Sequence, residues 1–536
     1  MNKLYYGDNL QVLRDSIVDE SVDLIYLDPP FNSKRDYNLL FKSPKGHDSD
    51  AQIEAFKDSW SWGLQAENEL DELMKQPNTD VAQMMDALIR FLGRNDMTAY
   101  LVMMANRLLE MHRVLKPTGS LYLHCDPTAS HYLKIVLDGV FGKLNFRNEI
   151  IWKRTNAHNF KTKGYTRAQD VLFFYTKTDD FLFNDLYTEY GEAQLKRFKP
   201  DENGRLYKAE NMTFSTRNPS RQFEWRGTKP PENRSWGASL EQLEKWWAEG
   251  RILKRQDGSP RMDGLKIYLD DTKGVPLSTC WTDIDRVGNT ADERLGYPTQ
   301  KPLALLERIL TVSSKEGDVV LDPFCGCGTA VHAAQKLKRK WVGIDITHLA
   351  ISLIEKRLKD AFGARCKYKT EGTPGDLDAA RDLAARDKYQ FQYWAVSLVA
   401  AQPFQGKKKG ADGGIDGLKF FRDVDKKEVR KIVVSVKGGG NVGLTMVKDL
   451  ITTVTHNNAE IGLFLTLAEP TKPMLAEAAK AGFYTSATGR KFPRLQILTI
   501  GGLLAGTPRA EHPDYEPDLN FKKAEAEQSG EQTELL

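Results

Sequence analysis

The chain has 536 residues, more than one hydrophobic core usually organises, so two or three domains are expected. A hydrophobic content of 40% and a charged content of 28% are those of a globular protein, and a net charge of +3 does not by itself indicate a nucleic-acid partner. The five scattered cysteines form no C-x-x-C pair, which argues against a disulfide framework and a zinc site. Without a signal-peptide pattern or an apolar run of about 18 residues, the sequence indicates a soluble protein of a reducing, bacterial-type cytoplasm.

The first part of the chain alternates strand-like and helix-like segments. A short strand, a turn at Gly7-Asp8, a helix containing NLQVL and a strand over 22–27 are predicted in that order. Helical spacing over 51–116 stops at KPTG, and the buried strand SLYLHCD follows. EIIWKR and VLFFYTK are two more predicted strands. This alternation indicates an α/β domain.

The rest of the chain divides by composition. Charged, aromatic and turn-rich sequence fills roughly 190–290, and the α/β pattern returns with KPLALLERIL, DVVLDPF, AVHAAQKLK and WVGIDI. A second α/β pattern follows a charged linker. The predicted bounds are 1–150 with 295–365 for the first α/β core, 150–295 for an insertion, 366–386 for the linker, 387–505 for a second, smaller α/β domain, and 506–536 for a disordered tail.

A glycine-rich turn in GDVVLDPFCGCGTAVHAAQKLKRKWVGIDI (317–346) is the first candidate binding site. The order strand, glycine-rich turn, helix, strand, acid is that of nucleotide-type sites in doubly wound sheets. Gly326 and Gly328 lack a Cβ, which lets the backbone approach a ligand, and Asp345 is suited to hold ribose hydroxyls. Neither G-x-G-x-x-G nor GK[ST] is present, which favours a nucleoside such as S-adenosylmethionine over NAD or ATP. The alternative is a tight turn whose glycines serve packing alone.

Four motifs in a fixed order resemble one family of enzymes. They are GDNLQVL (7–13), DPPF (28–31), YPTQKP (297–302) and DPFCGCGT (322–329). Together they resemble β-class DNA amino-methyltransferases, which methylate adenine N6 or cytosine N4 and include type III modification subunits. The match covers about 1–365. It implies a Rossmann-like, S-adenosylmethionine-dependent methyltransferase sheet with permuted motif order, an inserted target-recognition region at 150–295, and duplex DNA as the substrate.

The resemblance implies a catalytic role for Asp28, Pro29, Pro30 and Phe31. An exocyclic amine is a poor nucleophile because its lone pair is delocalised into the ring, so an acceptor for its hydrogens exposes that lone pair. The Asp28 carboxylate and the Pro29 carbonyl, fixed by Pro30, would be the acceptors, and Phe31 would stack on the base. Positioning and electrostatics then supply most of the catalysis, and the base must be flipped out of the duplex. By family resemblance, an acid at position 28 favours adenine over cytosine.

The same resemblance implies a set of cofactor-binding residues. Asp8 would contact the adenine of the cofactor, although it is equally suited to cap the helix NLQVL. Lys301 would lie near the methionine end, with a solvated helix start as the alternative, and Cys325 is interpreted as a small filler. The full set is Asp8, Thr299, Lys301, Pro302, Asp322, Phe324, Cys325, Gly326, Gly328, Thr329 and Asp345.

Two further features of the first 300 residues bear on DNA. NEIIWKRT, KTKGYTRAQD and RQFEWRGTKPP interleave basic and aromatic residues, which suits phosphate contacts and base stacking. An irregular solvated insertion is the alternative. His124 and Asp126 fall at the carboxyl end of SLYLHCD, where open sheets bind ligands, but a histidine there is more often structural, so we assign it no catalytic role.

The C-terminal domain resembles the nuclease fold of Mrr-like restriction enzymes. GADGGIDGLKFF and KIVVSVKGG imply Asp416 as a metal-binding acid and Lys437 as a catalytic lysine. Ser435 stands where that family has Glu or Gln, and the preceding helix lacks the usual glutamate, although Asp412 is near. A single acid is a thin site for Mg²⁺. An active nuclease, a DNA-binding relative without cleavage and an unrelated α/β domain are the three alternatives.

The sequence therefore predicts a site-specific DNA methyltransferase that transfers a methyl group from S-adenosylmethionine to adenine N6. The alternatives are a bifunctional restriction–modification protein that cuts DNA with Mg²⁺, cytosine N4 as the methylated atom, and a DNA-binding protein whose methyltransferase site has decayed. Methylation of RNA or protein also remains open. The expected partners are duplex DNA and either a second copy or a restriction subunit, with no membrane.

Overall fold

A computed structural model describes most of the chain. The described residues are 1–30, 35–42, 48–58, 61–156, 163–288, 291, 293–295, 297, 299–404, 414–424, 429–507, 509–513, 515, 524, 526 and 527. The predicted base platform Phe31 and the acid Asp412 lie outside them. Within the described part, no helix has the length and apolar character needed to cross a bilayer. The chain forms two compact units, Met1–Asn184 with Thr279–Ser529, and one built on Asp185–Ser278.

The first stretch alternates strands and helices, as predicted, except at one antiparallel pair of strands: the strand Arg35–Lys42 was not predicted, and the strand Asp48–Asp58 occupies the start of the 51–116 range for which helical spacing was predicted. Its strands are β1 (Asn2–Tyr6), β2 (Val22–Leu27), β3 (Arg35–Lys42), β4 (Asp48–Asp58), β5 (Leu115–Cys125), β6 (Phe146–Lys153) and β7 (Gln169–Thr176). Its helices are α1 (Asn9–Ser16), α2 (Leu64–Met74), α3 (Thr79–Leu92), α4 (Asp96–Val114) and α5 (Ser130–Phe141), followed by a 3₁₀ turn at Lys143–Asn145.

The unit built on Asp185–Ser278 consists of short strands around a small aromatic core. Its strands are β8 (Tyr187–Thr188), β9 (Lys199–Pro200), β10 (Leu206–Glu210), β11 (Thr213–Phe214), β12 (Ser235–Trp236), β13 (Ile252–Lys254), β14 (Pro260–Tyr268) and β15 (Val275–Pro276). Its helices are α6 (Glu192–Leu195) and α7 (Leu240–Ala248), with 3₁₀ turns at Pro219–Arg221 and Leu269–Asp271. Buried Trp225, Trp236 and Leu243 belong to its core.

The chain then returns to the first unit. The strands are β16 (Cys280–Trp281), β17 (Val319–Asp322), β18 (Lys340–Asp345) and β19 (Tyr368–Glu371). The helices are α8 (Leu303–Ser313), α9 (Thr329–Lys336) and α10 (His348–Phe362), with a 3₁₀ turn at Gly363–Arg365.

Nine strands form one mixed sheet in the order β16-β6-β7-β5-β2-β17-β18-β1-β19. The neighbours from β5 through β19 run parallel, whereas β7 is antiparallel to both β5 and β6. Strands β6, β7 and β16 therefore belong to the main sheet, and the separate compact unit is narrower than the predicted insertion of 150–295. Strand β19, which lies within the predicted linker 366–386, pairs with β1 and is the outermost strand on the side of the sheet opposite β16.

The C-terminal segment forms a second sheet, of five strands, in the order β20-β21-β22-β23-β26. The strands of that sheet are β20 (Gln402–Pro403), β21 (Gly417–Arg422), β22 (Val429–Lys437), β23 (Ile461–Thr466) and β26 (Leu495–Thr499), and the segment also contains a separate pair, β24 (Phe483–Thr485) and β25 (Lys491–Pro493). Its helices are α11 (Leu377–Arg386), α12 (Lys388–Ser397), α13 (Leu444–His456), α14 (Lys472–Lys480) and α15 (Ile500–Leu504).

Two described residues of the predicted disordered tail contact the first domain: the Ala524 N–H donates to Asp360 Oδ2 at 3.4 Å, and Glu527 makes several contacts. Glu527 accepts a hydrogen bond from His332 Nε2 at 2.9 Å and lies 3.5 Å from Lys336 Nζ. Its backbone N–H donates to the Ala361 carbonyl at 2.9 Å. This part of the tail is therefore held against α9 and α10.

Candidate active site

Four neighbouring parallel strands bring predicted site residues to one edge of the main sheet. Strands β2, β17, β18 and β1 are adjacent in that order. Asp28 follows β2, Asp322 and Asp345 end β17 and β18, and Asp8 follows β1. Because the carboxyl ends of parallel strands share one edge, motifs some 300 residues apart in sequence meet at the place where open α/β sheets bind ligands.

Asp28 forms a largely buried ion pair with Lys301. The side chains of Asp28 and Lys301 are 15% and 10% exposed, and Lys301 Nζ donates to Asp28 Oδ2. The other carboxylate oxygen, Oδ1, is buried and accepts no hydrogen bond from any described residue. Pro29 is buried and Pro30 half-buried next to it. The predicted catalytic carboxylate therefore has one oxygen held by a cation and the other available to a donor.

Lys301 is thus held in an ion pair with Asp28 and does not lie on a solvated helix start. Pro302 is the N-cap residue of α8, and the Leu303 N–H donates to Glu293 Oε2 at 2.9 Å. Thr299 is half-buried on the segment that leads to Lys301. The YPTQKP motif accordingly delivers an ammonium group to the Asp28 edge.

Asp345 holds the glycine-rich loop in place. Its Oδ2 accepts the Gly326 N–H at 2.9 Å, and its Oδ1 accepts the N–H and hydroxyl of Thr347, each at 2.9 Å. Burial raises the pKa of Asp345 to about 6, while these hydrogen bonds work in the opposite direction. Asp345, the residue predicted to bind the ribose, therefore already accepts hydrogen bonds from the loop and from Thr347. Only the remaining lone pairs of its carboxylate oxygens are available to a ribose hydroxyl.

Asp322 is a buried carboxyl group at the centre of this edge. Its Oδ1 accepts the Phe324 N–H at 3.0 Å, and its backbone carbonyl accepts from Cys325 Sγ at 3.2 Å. Burial, together with the charges of Asp28 and Asp345, raises the pKa of Asp322 to about 8. The edge thus concentrates acidic groups in a poorly solvated place.

The two loop glycines have conformational and packing reasons of their own. Gly326 and Gly328 have φ angles of 52° and 74°, in the left-handed region. A Cβ on Gly326 would lie 3.1 Å from the Tyr297 ring, and one on Gly328 would lie 2.8 Å from the Ile354 side chain. Protein atoms therefore account for both glycines, and close ligand approach is not needed to explain them.

Buried arginines that sequence reasoning missed support both cofactor motifs. Arg357 donates to the Cys327 carbonyl at 3.2 Å and to Thr329 Oγ1 at 3.1 Å. Arg107 Nη2 donates to Asp8 Oδ2 at 2.9 Å. Both arginines lie among the buried, mostly apolar residues of their helices. A charged residue at such a position is rarely buried without a partner, so the sequence could have indicated that each binds a polar group.

Asp8 is the N-cap of α1, as the alternative interpretation held. Its Oδ1 accepts the Leu10 N–H at 2.9 Å and the Gln11 N–H at 3.3 Å. The next residue, Asn9, donates to the Pro323 carbonyl at 2.8 Å and was not predicted. The GDNL turn is thereby tied to the DPFCGCGT loop.

The two cysteines of that loop are buried, as expected for filling side chains. Burial raises the pKa of the Cys325 thiol well above its ordinary value and also raises that of Cys327. Neither thiol is therefore activated as a nucleophile.

Three buried polar side chains, Tyr26 on β2, His124 on β5 and Asp170 on β7, form a hydrogen-bonded series across neighbouring strands. The Tyr26 hydroxyl lies 3.1 Å from His124 Nδ1, and His124 Nε2 lies 3.1 Å from Asp170 Oδ2. Burial alone raises the pKa of Asp170, but the His124 hydrogen bond and nearby positive charges, including Lys301, lower it below its ordinary value. His124 is therefore a satisfied structural group, as the sequence suggested.

The C-terminal sheet brings Asp416 and Lys437 together. Asp416 Oδ2 lies 4.0 Å from Lys437 Nζ and accepts the Val436 N–H at 2.6 Å. Gln392, on α12, donates to Asp416 Oδ1 at 2.9 Å, and Ser435 donates to Oδ2 at 3.4 Å. Both carboxylate oxygens are thus bound by protein donors.

The described residues around Asp416 do not fit a Mg²⁺ site. Mg²⁺ in a nuclease is usually held by more than one carboxylate, and among the described neighbours of Asp416 the side chains are an amide, a hydroxyl and an ammonium. In the described ranges, no group of three His, Cys, Asp or Glu side chains converges to hold a metal.

A tight hairpin presents basic residues in the unit built on Asp185–Ser278. Trp225 and Thr228 pair through hydrogen bonds of 2.8 and 2.9 Å, so Arg226 and Gly227 form a two-residue turn. Trp225 and Thr228 are buried, whereas the Arg226 side chain is 41% exposed. Arg226 has φ of 47°, which is strained for a residue with a side chain, and pairs with Glu244 at 2.7 Å.

The fold defines an α/β domain that carries a glycine-rich loop and a group of buried and half-buried acids at the carboxyl ends of its parallel strands, followed by a smaller α/β domain. The chain belongs to the DNA methylase family, whose sequence model matches residues 22–356. The restriction endonuclease model matches residues 383–492.

Individual relatives are similar to parts of the chain. Type II methyltransferase M.EcaI of Enterobacter cloacae is 31% identical over 261 residues, covering 48% of this chain and 57% of the relative. The Mod subunit of the type III restriction–modification enzyme StyLTI of Salmonella typhimurium is 24% identical over 354 residues, covering 63% and 50%. The chain thus spans about half the length of these relatives. The solved M1.HpyAVI–SAM complex covers 67% of this chain and 99% of its own at 15% identity, with a TM-score of 0.33.

Proposed function

We propose that this protein is a DNA methyltransferase that moves a methyl group from S-adenosylmethionine to an exocyclic amine, adenine N6, in duplex DNA. Membership of the DNA methylase family supports the class of reaction. The observation that carries the proposal is Asp28 at the end of β2, with one buried carboxylate oxygen that no described residue occupies. Such an oxygen is placed to accept a hydrogen bond from an amine.

Asp28 and Lys301 divide the work at the catalytic corner. Lys301 donates to Oδ2, which fixes the orientation of the carboxylate. Oδ1 accepts a hydrogen bond from the target amine. The Pro29 carbonyl is proposed as the second acceptor, because Pro30 restricts the backbone there. Holding both hydrogens favours a tetrahedral nitrogen with an exposed lone pair. The proton lost on methylation is taken up first at Asp28.

The cofactor is proposed to bind along the same edge. When bound, S-adenosylmethionine supplies an electrophilic methyl group on a positively charged sulfur. The acidic groups fit a cationic ligand, because the pKa of Asp322 and of Asp345 is raised by burial without enough compensating positive charge. Asp345 and Thr329 would hold it near the loop, and Asp8 near α1.

DNA recognition is proposed for the unit built on Asp185–Ser278. A base inside a duplex cannot reach a buried carboxylate, so the target must be flipped out. The Arg226–Gly227 turn offers a preorganised guanidinium, which stacks 4.7 Å from the Trp247 ring centroid, for a phosphate or a base edge.

Transfer of a labelled methyl group from S-adenosylmethionine to DNA tests the proposal. Asp28→Ala should abolish transfer, whereas Asp126→Asn should retain it. Asp126 is the matched control because it follows the neighbouring strand β5 yet binds Thr128 in its own turn. Unchanged transfer in Asp28→Ala would refute the catalytic assignment.

Adenine is proposed as the base because an acid occupies the first position of DPPF. Nucleoside analysis of the methylated DNA should find N6-methyldeoxyadenosine. Finding N4-methyldeoxycytidine would overturn the choice of base and keep the class of reaction.

For the C-terminal domain we propose DNA contact without cleavage. The match to the restriction endonuclease model and the closeness of Asp416 to Lys437 support a nuclease-derived domain, but the donors around Asp416 do not suit Mg²⁺. Unmethylated plasmid incubated with Mg²⁺ should stay intact. Cutting that disappears in Lys437→Ala would instead establish the bifunctional alternative. A second copy or a restriction subunit as partner, in a bacterial-type cytoplasm, completes the proposal.

A further inference from the structure

Helix α12 belongs to the segment that matches the restriction endonuclease model, yet it contacts the cofactor edge of the first domain. Tyr393 packs against a buried cluster formed by Tyr297, Cys327, Leu349 and Leu353. All four lie within the DNA methylase match. The Tyr297 ring in turn limits the space at Gly326, and Cys327 lies between the two loop glycines. Tyr393 therefore packs against a cluster that contains Tyr297 and Cys327, the residues beside and within the glycine-rich loop.

A second contact joins α12 to the segment after Asp345. The His348 N–H donates to Gln390 Oε1 at 3.3 Å, and the His348 ring stacks on Tyr6 with centroids 3.6 Å apart. Tyr6 ends β1, next to the strand that carries Asp345. Gln390 thus fixes the start of α10, whose first turn follows the Asp345–Thr347 hydrogen bonds.

The other side of α12 is built into the C-terminal domain. Phe391 and Trp394 are buried in its core. A Cβ on Gly438 would lie 2.9 Å from the Phe391 ring, so the helix fits closely beside the residue that follows Lys437. Gln392 donates to Asp416. One helix therefore touches the cofactor loop and the Asp416 site at the same time.

We propose that α12 makes the C-terminal domain part of the cofactor site, with Tyr393 and Gln390 as positioning residues for the loop that binds S-adenosylmethionine. The inference rests on the proposed function, because it concerns the affinity of that cofactor. Removing the Tyr393 ring leaves a cavity behind Tyr297 and Cys327, and the loop then adopts binding-competent conformations less often. The apparent affinity for the cofactor falls in proportion to the population of the binding-competent conformation.

The test compares two tyrosines of the same helix in the full-length chain. Tyr393→Ala should raise the Kd for S-adenosylhomocysteine, measured by calorimetry, by about tenfold, a common size for coupling between sites. Tyr389→Ala is the control, because Tyr389 is 62% exposed and is not part of the cluster. Gln390→Ala removes only one hydrogen bond and should weaken binding by about threefold. It provides the measurement if Tyr393→Ala fails to fold.

Hydrogen exchange supplies a second readout that does not depend on catalysis. Adding S-adenosylhomocysteine to the wild-type protein should slow amide exchange in 388–397, because the ligand orders the loop on which α12 rests. Equal Kd values for wild type, Tyr393→Ala and Gln390→Ala, or unchanged exchange in this helix, would overturn the inference. A wild-type protein that binds no S-adenosylhomocysteine would instead refute the proposed function.

Discussion

Replacing Asp322 with asparagine measures the cost of burying an acid at the carboxyl edge. Asp322 is 4% exposed, and its pKa is raised from 3.8 to about 8 by burial and by the charges of Asp28 and Asp345. Between those two values the unfolded chain has lost the proton and the folded protein keeps it. The stability that this carboxyl group contributes is therefore fully present below pH 3.8 and is lost as the pH rises through about 8.

The size of the effect follows from the shift. Each pH unit in that window lowers the free energy of unfolding by about 1.4 kcal/mol, which accumulates to about 4 kcal/mol at pH 7. Asparagine has the same shape, does not titrate, and keeps a carbonyl oxygen for the Phe324 N–H. Asp322→Asn should therefore be more stable than wild type at pH 7 by up to about 4 kcal/mol, and by about 2 kcal/mol at pH 5.

Urea unfolding at several values between pH 5 and pH 9 checks this prediction. The difference between Asp322→Asn and wild type should grow up to about pH 8 and stay level above it. Asp345→Asn is the control from the same edge. The pKa of Asp345 is raised only to about 6, so the pH-dependent part of the difference between Asp345→Asn and wild type should level off near pH 6, well before that of Asp322→Asn. A pH-independent difference for Asp322→Asn would refute the reasoning.

Three other substitutions test separate parts of the structure. Lys301→Met leaves the buried Asp28 carboxylate without its cation and should cost about 3–5 kcal/mol in urea unfolding; a loss under about 1 kcal/mol would contradict the ion pair. Gly328→Ala combines a φ of 74° with a Cβ 2.8 Å from Ile354, so calorimetry should show about 1–3 kcal/mol of destabilisation. Arg226→Asn suits the left-handed turn and should leave the melting temperature nearly unchanged while raising the KM for DNA. It should also reduce the magnitude of the slope of log K for DNA binding against log salt concentration by about one. An unchanged slope would show that Arg226 does not contact the DNA backbone.

The order of motifs in the sequence was enough to predict the carboxyl edge. Asp28, Asp322 and Asp345 each follow or end a recognisable strand, and parallel pairing then places them together. Helix capping by Asp8 was equally readable, because it depends only on the residues next to it. Local patterns and sheet topology therefore carried most of the site.

Contacts between distant segments were not readable in the same way. Lys301 pairs with Asp28 across 273 positions, and Gln392 binds Asp416 from a different element. The bounds of the insertion also depended on pairing, because β6 and β7 join the main sheet only through tertiary contacts. Strand β19 belongs to that sheet for the same reason, although its composition suggested a linker.

The charges at the carboxyl edge connect folding to the proposed chemistry. Burial raises the pKa of both Asp322 and Asp345; the charges of Asp28 and Asp345 add to the shift at Asp322, and the charge of Lys301 opposes it. A second positive charge at the edge would oppose these shifts further, because it favours the ionised form of both acids. Under the proposed function that charge comes with the cofactor, so the electrostatic cost of folding the edge becomes part of the binding free energy. The acids would then select a cationic methyl donor over its neutral product, which favours product release after each transfer.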